Sequence, residues 1–227
     1  MNDTDKWNAY AQGRLLERNR LTVEHHQGTV KAYIDFFQDI DPDKKVLDLA
    51  CGGGFFLEIL RNLGFVHIQG VDLSEPFVQR ALAKNLNVTL GSLLDINFQD
   101  EFDVITCMEI FENLECSLHI QQISCALKKH GILYVTVPVY NSFRDRFERL
   151  QLHLTKLQQA KEHDPTHVRA YSKDLLCQEV TATGAFRLRS FRHCYNPIPG
   201  IPLRTVWRLS ERLFRSGMFL VAVFEKV

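Results

Sequence analysis

The chain has 227 residues, 45% of them hydrophobic and 24% charged, which is enough for one α/β domain with a buried core and short for two. Its polar first residues and its short apolar runs, such as GMFLVAVF near the end, predict neither a signal peptide nor a transmembrane helix of roughly 20 apolar residues. The net charge of zero and the lack of a binding motif argue against a nucleic-acid-binding protein. We therefore expect one cytoplasmic domain spanning 1–227.

The cysteines and the charge distribution exclude fewer classes of function than the length and composition do. The six cysteines include no Cys-x-x-Cys pair and predict free thiols rather than a metal site. Residues 1–150 hold 15 Lys and Arg against 21 Asp and Glu, whereas residues 151–227 hold 12 against 6. This basic excess, rich in arginine, predicts either a solvated surface that pairs with the acidic part or a contact with an anionic acceptor or a membrane surface.

Helical periodicity comes first along the chain, and strands and helices then alternate. Residues 1–40 predict an N-terminal helical cap, with apolar residues at helical intervals over 7–38. Strands are predicted at Val46–Ala50, Val66–Val71, Val88–Leu90, Phe102–Cys107 and Ile132–Val137, and helices at Phe55–Leu63, Glu75–Lys84 and Leu118–Lys128. This alternation over 45–138 predicts an α/β fold with a parallel sheet and right-handed crossovers.

The alternation of strands and helices ends after Pro138. Residues 139–170 are polar and largely helical in pattern, which predicts a substrate-cap insertion. Residues 171–227 are expected to complete the sheet, beginning with a helix over 171–184 that Ser172 caps and Gly184 ends. The later elements are predicted as a strand over 185–195, a proline-rich loop over 196–202, a helix at Leu203–Phe214 and a strand at Met218–Phe224.

The stretch KVLDLACGGGFFLEIL (45–60) places a glycine loop between the first strand and the following helix. In open parallel sheets such a loop holds a ligand beyond the carboxyl ends of the strands. The order Asp48, Ala50, Cys51, Gly52 and Gly54 departs from the Gly-x-Gly-x-x-Gly pattern of dinucleotide-binding loops. Because the Asp48 carboxylate would repel a pyrophosphate at short range, the loop favours a cationic ligand.

The motif VLDLACGGG resembles the first motif of the class I S-adenosylmethionine-dependent methyltransferases, with Ala50 in place of its first glycine. That resemblance implies S-adenosylmethionine as cofactor, S-adenosylhomocysteine as product, and a Rossmann-like sheet of order 3-2-1-4-5-7-6 with an antiparallel last strand. Asp72, eighteen residues after Gly54, is then expected to accept hydrogen bonds from the ribose hydroxyls. The remaining contacts implied are those of Leu73 and Phe77 beside the adenine, and of Ser92 and Leu93 in the family's third segment.

The segment FDVITCMEIFENLE resembles the loop after strand four in ubiquinone-pathway O-methyltransferases and their small-molecule relatives. Cys107 and Met108 are implied as contacts of the cofactor's methionine end, and Asn113 replaces the usual histidine. The candidates for a general base are therefore Glu112 and His167. The segment VPVYNSF after strand five offers no acidic metal site of the catechol-methyltransferase kind, so no metal is expected.

The resemblance implies O-methylation of a small aromatic, quinone-precursor or lipid-like acceptor by a monomer or homodimer. Three alternatives stay open. One is a non-catalytic or regulatory cofactor-binding protein, which the departures at Ala50, Ser92 and Asn113 permit. Another is a methyltransferase of sugars, amines or carboxylates, and the third is a nicotinamide-dependent dehydrogenase, which the loop pattern disfavours.

Overall fold

A computed structural model of the chain describes residues 4, 5, 8, 27–114, 118–139, 171–194 and 219–227. The strands are β1 (Val46–Leu49), β2 (Ile68–Asp72), β3 (Val88–Leu90), β4 (Phe102–Met108), β5 (Leu127–Pro138), β6 (Phe186–Cys194) and β7 (Phe219–Lys226). The helices bounded within these residues are α1 (Gln27–Phe37), α2 (Phe55–Asn62), α3 (Glu75–Leu82), α4 (Leu118–Ala126) and α5 (Lys173–Thr181), with a 3-10 turn at Phe111–Asn113.

The seven strands form one sheet in the order β3-β2-β1-β4-β5-β7-β6. The pairs from β3 to β5 are parallel, and β7 runs antiparallel between β5 and β6. Both the α/β class and the sheet order predicted from the sequence are confirmed. The order places β1 in the interior of the sheet between β2 and β4, so the loops that follow these three strands meet at one edge.

Two apolar cores cover the two faces of this sheet, because successive residues of a strand point to opposite sides. Leu47 and Leu49 of β1 belong to the core that contains residues of α4 and α5. Val46 belongs to the opposite core, which contains residues of α1, α2 and α3. Asp48 therefore lies on the α1 side of β1, in the row of Val46 rather than of the leucines.

Several predicted boundaries move by a few residues. β2 begins at Ile68 rather than Val66. The Val66 side chain is 67% exposed, so pairing in the sheet would bury little of its apolar surface. α4 ends at Ala126, and β5 begins at Leu127 rather than Ile132 because Leu127 already pairs with Phe102 across the sheet. The prediction for α5 holds at its start, where the Ser172 hydroxyl accepts a 3.2 Å hydrogen bond from the Leu175 amide.

Some predicted elements lie outside the described residues. These are most of the N-terminal helical cap, the substrate-cap insertion after Val139, the proline-rich loop over 196–202 and the helix predicted at Leu203–Phe214.

Candidate functional site

The predicted cofactor residues meet at the carboxyl edge of the sheet. Leu49 of β1 pairs with Val71 of β2 and with Cys107 of β4. The next residue along each strand is Ala50, Asp72 or Met108. These three residues therefore lie at the same level, at the carboxyl ends of the three strands. A ligand at this edge is reachable from the glycine loop, from the end of β2 and from the loop after β4.

The glycine loop uses left-handed backbone at three positions. Gly52 has a φ of 53° and Gly54 a φ of 80°, and Ala50 adopts a φ of 56° despite its side chain. Glu109, directly after β4, is left-handed as well, with a φ of 57°. Strained backbone at non-glycine residues is often found at binding sites. Here it occurs after the two adjacent strands β1 and β4.

Asp72 fastens the glycine loop to the end of β2. Its Oδ2 accepts a 2.7 Å hydrogen bond from the Gly52 amide, and its Oδ1 accepts one of 2.8 Å from the Ser74 amide. Burial raises the pKa of Asp72, and these two amide bonds oppose that rise. Each carboxylate oxygen has further lone-pair capacity, so the predicted bonds to ribose hydroxyls are compatible with the contacts already made.

Asp48 is buried beneath the loop, with 1% of its surface exposed. Its Oδ1 accepts a 2.6 Å hydrogen bond from the Thr106 hydroxyl. Its Oδ2 is buried without a hydrogen-bond partner among the residues that the structure describes. Burial raises the pKa of Asp48 to about 7, the Thr106 hydroxyl opposes the rise, and the nearby charge of Asp72 adds to it. A cation brought close to Oδ2 would relieve this unfavourable burial.

The predicted adenine-side residues flank Asp72. Leu73 and Phe77 are half-buried where the chain enters α3. The backbone oxygen of Asp72 accepts a 2.9 Å hydrogen bond from the Gly91 amide, which brings Ser92 and Leu93 beside the end of β2. The Ser92 hydroxyl accepts from the Leu94 amide at 3.1 Å.

The loop after β4 is held to β5. The Glu109 amide donates to the backbone oxygen of Thr136 at 3.0 Å, and Met108 and Cys107 are buried. Glu112 lies in the 3-10 turn with 1% of its surface exposed. The Asn113 side-chain amide donates to the Glu109 backbone oxygen at 3.3 Å, so the residue that replaces the usual histidine closes this loop.

Two arginines of the basic part of the chain lie away from the carboxyl edge of the sheet. Arg187 and Arg189 form ion pairs with Glu225, at 3.0 Å and 3.4 Å. Glu225 pairs in the sheet with Ile132, near the amino-terminal part of β5, so this cluster lies away from the carboxyl edge. For these two residues the contacts favour paired surface charges over an anion site, but their partner Glu225 lies within the basic part of the chain rather than the acidic one.

Two contributors to the site were missed from the sequence. Thr106, the partner of Asp48, is one of the few polar residues of a buried strand, and that pattern could have indicated it. Lys84 donates from its Nζ to the Gly53 backbone oxygen at 2.8 Å. A lysine at the end of a helix gives no indication of such a contact.

His167 lies outside the described residues. Among the ranges that the structure does describe, no group of three potential ligands could hold a metal ion. No helix in the same ranges is long and apolar enough to cross a membrane.

Comparison with known proteins places this geometry in a family. A family model described as a methyltransferase domain matches residues 23–186. The chain belongs to the methyltransferase domain family. Together with the sheet order, this confirms the predicted class I S-adenosylmethionine-dependent methyltransferase, the class whose cofactor is S-adenosylmethionine.

Individual proteins similar to this chain are also methyltransferases. The ubiquinone biosynthesis O-methyltransferase of Neisseria meningitidis serogroup C (strain 053442) is 32% identical over 94 residues, which are 36% of this chain and 38% of that enzyme. The match thus spans less than half of that relative. The ubiquinone biosynthesis O-methyltransferase of Shewanella sp. (strain ANA-3) is 26% identical over 70% of both chains.

A solved methyltransferase structure has a similar fold. Magnesium protoporphyrin IX methyltransferase from Synechocystis PCC 6803, solved with bound S-adenosylhomocysteine, has a TM-score of 0.69 over 99% of this chain and 98% of its own. At 14% identity, this likeness shows the fold alone.

Proposed function

We propose that this methyltransferase transfers the methyl group of S-adenosylmethionine to an oxygen of a small aromatic or lipid-like acceptor. The observation that carries the cofactor half of the proposal is the pair of carboxylates at the carboxyl edge. Asp72 anchors the glycine loop, and Asp48 keeps a buried oxygen without a partner in the described part of the chain. Both features favour a cationic ligand over an anionic pyrophosphate.

The residues present fit the cofactor. Asp48 would lie nearest the cationic methionine end, and Asp72 would accept from the ribose hydroxyls. The apolar side chains of Leu73, Phe77 and Leu93 would border the adenine. Cys107 and Met108 would border the methionine end with the loop of Ala50, Cys51, Gly52 and Gly54, and Ser92 would lie on the adenine side. The bound cofactor supplies an electrophilic methyl carbon on a sulfonium.

The task of the chain is to align the acceptor with that carbon and to exclude water. A hydroxyl acceptor must also lose a proton, and we assign this proton transfer to Glu112 or His167. Glu112 is buried directly after the loop that borders the cofactor, so it would act within an enclosed space. A phenol of low pKa would require little help from either residue.

The acceptor class rests on the curated relatives. Both are named as ubiquinone biosynthesis O-methyltransferases, which supports an aromatic quinone precursor as the first acceptor to examine. Asn113 departs from the loop of those enzymes and keeps sugar, amine and carboxylate acceptors in the test. A cytoplasmic location and a monomeric or homodimeric state belong to the same proposal.

The experiment is a transfer assay with methyl-labelled S-adenosylmethionine. The acceptor panel contains phenols, catechols, quinols and fatty acids, with sugars and amines as comparison classes. Label in a phenol or quinol product, located on oxygen by mass spectrometry, would support the proposal. Cofactor binding without transfer to any class would favour the regulatory alternative instead.

A further inference from the structure

Lys84 reaches the glycine loop from the far end of α3. It lies two residues beyond the last residue of that helix, Leu82. Its Nζ donates to the Gly53 backbone oxygen at 2.8 Å and to Glu58 Oε2 at 2.6 Å. A hydrogen bond from an ammonium to a carbonyl oxygen is charge-assisted and stronger than a neutral one.

The bond to Gly53 fixes one peptide group of the loop. In a trans peptide the carbonyl oxygen and the following N–H point in opposite directions. The Gly53 oxygen is held by Lys84, and the Gly54 amide donates to the Cys51 oxygen at 3.0 Å. The peptide between Gly53 and Gly54 is therefore held from both sides and cannot rotate without losing both bonds.

Neighbouring side chains also restrict the movement of the glycine loop. A Cβ built on Gly54 would meet the Leu86 side chain, and one on Gly53 would lie 3.1 Å from Arg80 Cδ. The loop thus packs directly against the end of α3 and the residues that follow it. The peptide between Cys51 and Gly52 is held by Asp72 through the Gly52 amide.

We propose that Lys84 is a positioning residue that sets the affinity for the cofactor by holding the Gly53–Gly54 peptide in its binding conformation. This inference rests on the proposed function, since it takes the glycine loop as the cofactor cradle. Preorganised loops bind more tightly because they need not be ordered at the moment of binding. Lys84 therefore contributes to affinity without touching the cofactor.

The competing explanation is that Lys84 serves only its ion pair with Glu58. The two side chains are 28% and 32% exposed, and an ion pair of that exposure contributes little to stability. Glu58 provides the matched control, because Glu58→Gln removes the charge partner and leaves the bond from Lys84 to Gly53 in place.

The test is calorimetric titration with S-adenosylhomocysteine of the wild type, Lys84→Met, Lys84→Arg and Glu58→Gln, with melting temperatures of all four. We expect Lys84→Met to raise the Kd about tenfold, which is about 1.4 kcal/mol. Lys84→Arg, which retains a charged donor, should restore most of the affinity. Glu58→Gln should bind within about twofold of the wild type.

Three results would overturn the inference: a wild-type Kd for Lys84→Met, an equal loss for Glu58→Gln, or unfolding of Lys84→Met. Unfolding would show that Lys84 supports the whole fold rather than the loop. A wild type that binds no S-adenosylhomocysteine would overturn the proposed function and this inference with it. The wild-type titration therefore separates the two failures.

Discussion

The hydroxyl of Thr106 in β4 donates a 2.6 Å hydrogen bond to the carboxylate of Asp48 in β1. This bond satisfies one oxygen of a carboxylate that is otherwise buried, and the other oxygen faces no partner in the described residues. A buried and half-satisfied carboxylate destabilises a fold. Its presence beneath the glycine loop, which we propose binds the cofactor, fits a role in binding at a cost in stability.

Asp48→Asn is expected to stabilise the protein without cofactor at pH 8. The pKa of Asp48 is raised to about 7 in the folded chain, above its ordinary value of 3.8. Ionisation is therefore easier in the unfolded chain, and the resulting penalty grows between these two pH values and is constant above about 7. We expect a gain on the order of a few kcal/mol at pH 8, shrinking below pH 7, with weaker binding of S-adenosylhomocysteine.

The measurement is urea unfolding at pH 5, 6, 7 and 8. Asp103→Asn provides a control of opposite sign, because the pKa of Asp103 is lowered in the fold, where Lys128 and the Lys45 amide overcome its partial burial. Asp103→Asn should destabilise the chain by a similar amount from pH 5 to pH 8, because the stabilising effect of Asp103 is lost only below its ordinary pKa of 3.8. An Asp48→Asn variant less stable than the wild type at pH 8 would contradict the account of Asp48.

Ala50→Gly is expected to be neutral or stabilising. Ala50 has a φ of 56°, which costs a residue with a Cβ roughly 1–2 kcal/mol. Glycine removes this strain but adds about 0.5–1 kcal/mol of unfolded-chain entropy. The net change in unfolding free energy should lie between about 0 and +1.5 kcal/mol, measured by urea unfolding.

Ala83→Gly is the matched control. Ala83 is exposed and has a right-handed φ of −61°, so glycine relieves no strain there and should cost about 0.5–1 kcal/mol. Equal losses of stability in the two variants would show that Ala50 is not strained.

Gly70→Ala is expected to destabilise the fold. A Cβ built on Gly70 lies 2.6 Å from Cys51 Sγ and 2.8 Å from Leu57 Cδ1, so these two buried side chains, or the segments that carry them, must shift. The cost should be about 2 kcal/mol. At Gly91 the nearest atom to a built Cβ is Val71 Cγ1 at 3.8 Å, and Gly91→Ala should change stability by less than about 0.5 kcal/mol. Similar melting temperatures for both variants would refute the close packing of Cys51 on β2.

Glu112→Gln is expected to lower kcat for a hydroxyl acceptor by about 10²-fold and to leave the Kd of S-adenosylhomocysteine unchanged. Glutamine keeps the shape of the side chain but cannot take up a proton. The two quantities are measured by the transfer assay and by calorimetry. An unchanged kcat would assign the proton to another group or to an acceptor that is already ionised.

The alternation of buried strands and amphipathic helices predicted a parallel α/β sheet, because it admits few topologies. The strand order and the antiparallel last strand came from the resemblance to the class I methyltransferases. Leu47 and Leu49 of β1, and Asp72 at the end of β2, carry patterns that are local in the chain. The predicted starts of β2 and β5 were less accurate, because tertiary contacts decide whether a residue at the end of a strand belongs to it. Val66 is apolar but exposed, and Leu127 joins β5 only because Phe102 lies opposite.

The contacts that hold the site were harder to predict because they join distant parts of the chain. Lys84 and Gly53 are 31 residues apart, and Thr106 and Asp48 are 58 apart. Arg187 belongs to a basic run in the sequence, yet its partner Glu225 is 38 residues away and on a neighbouring strand. Composition alone could not distinguish this pairing from an anion site.

The most direct test of the central claim is calorimetric titration of the wild type with S-adenosylmethionine, S-adenosylhomocysteine and NAD. The account predicts binding of the two sulfur compounds with a Kd on the order of micromolar, and no binding of NAD. Asp72→Ala, shown to be folded by circular dichroism, should lose this binding because the Gly52 amide loses its acceptor. Binding of NAD alone, or of neither sulfur compound, would contradict the assignment of the carboxyl edge as a site for S-adenosylmethionine.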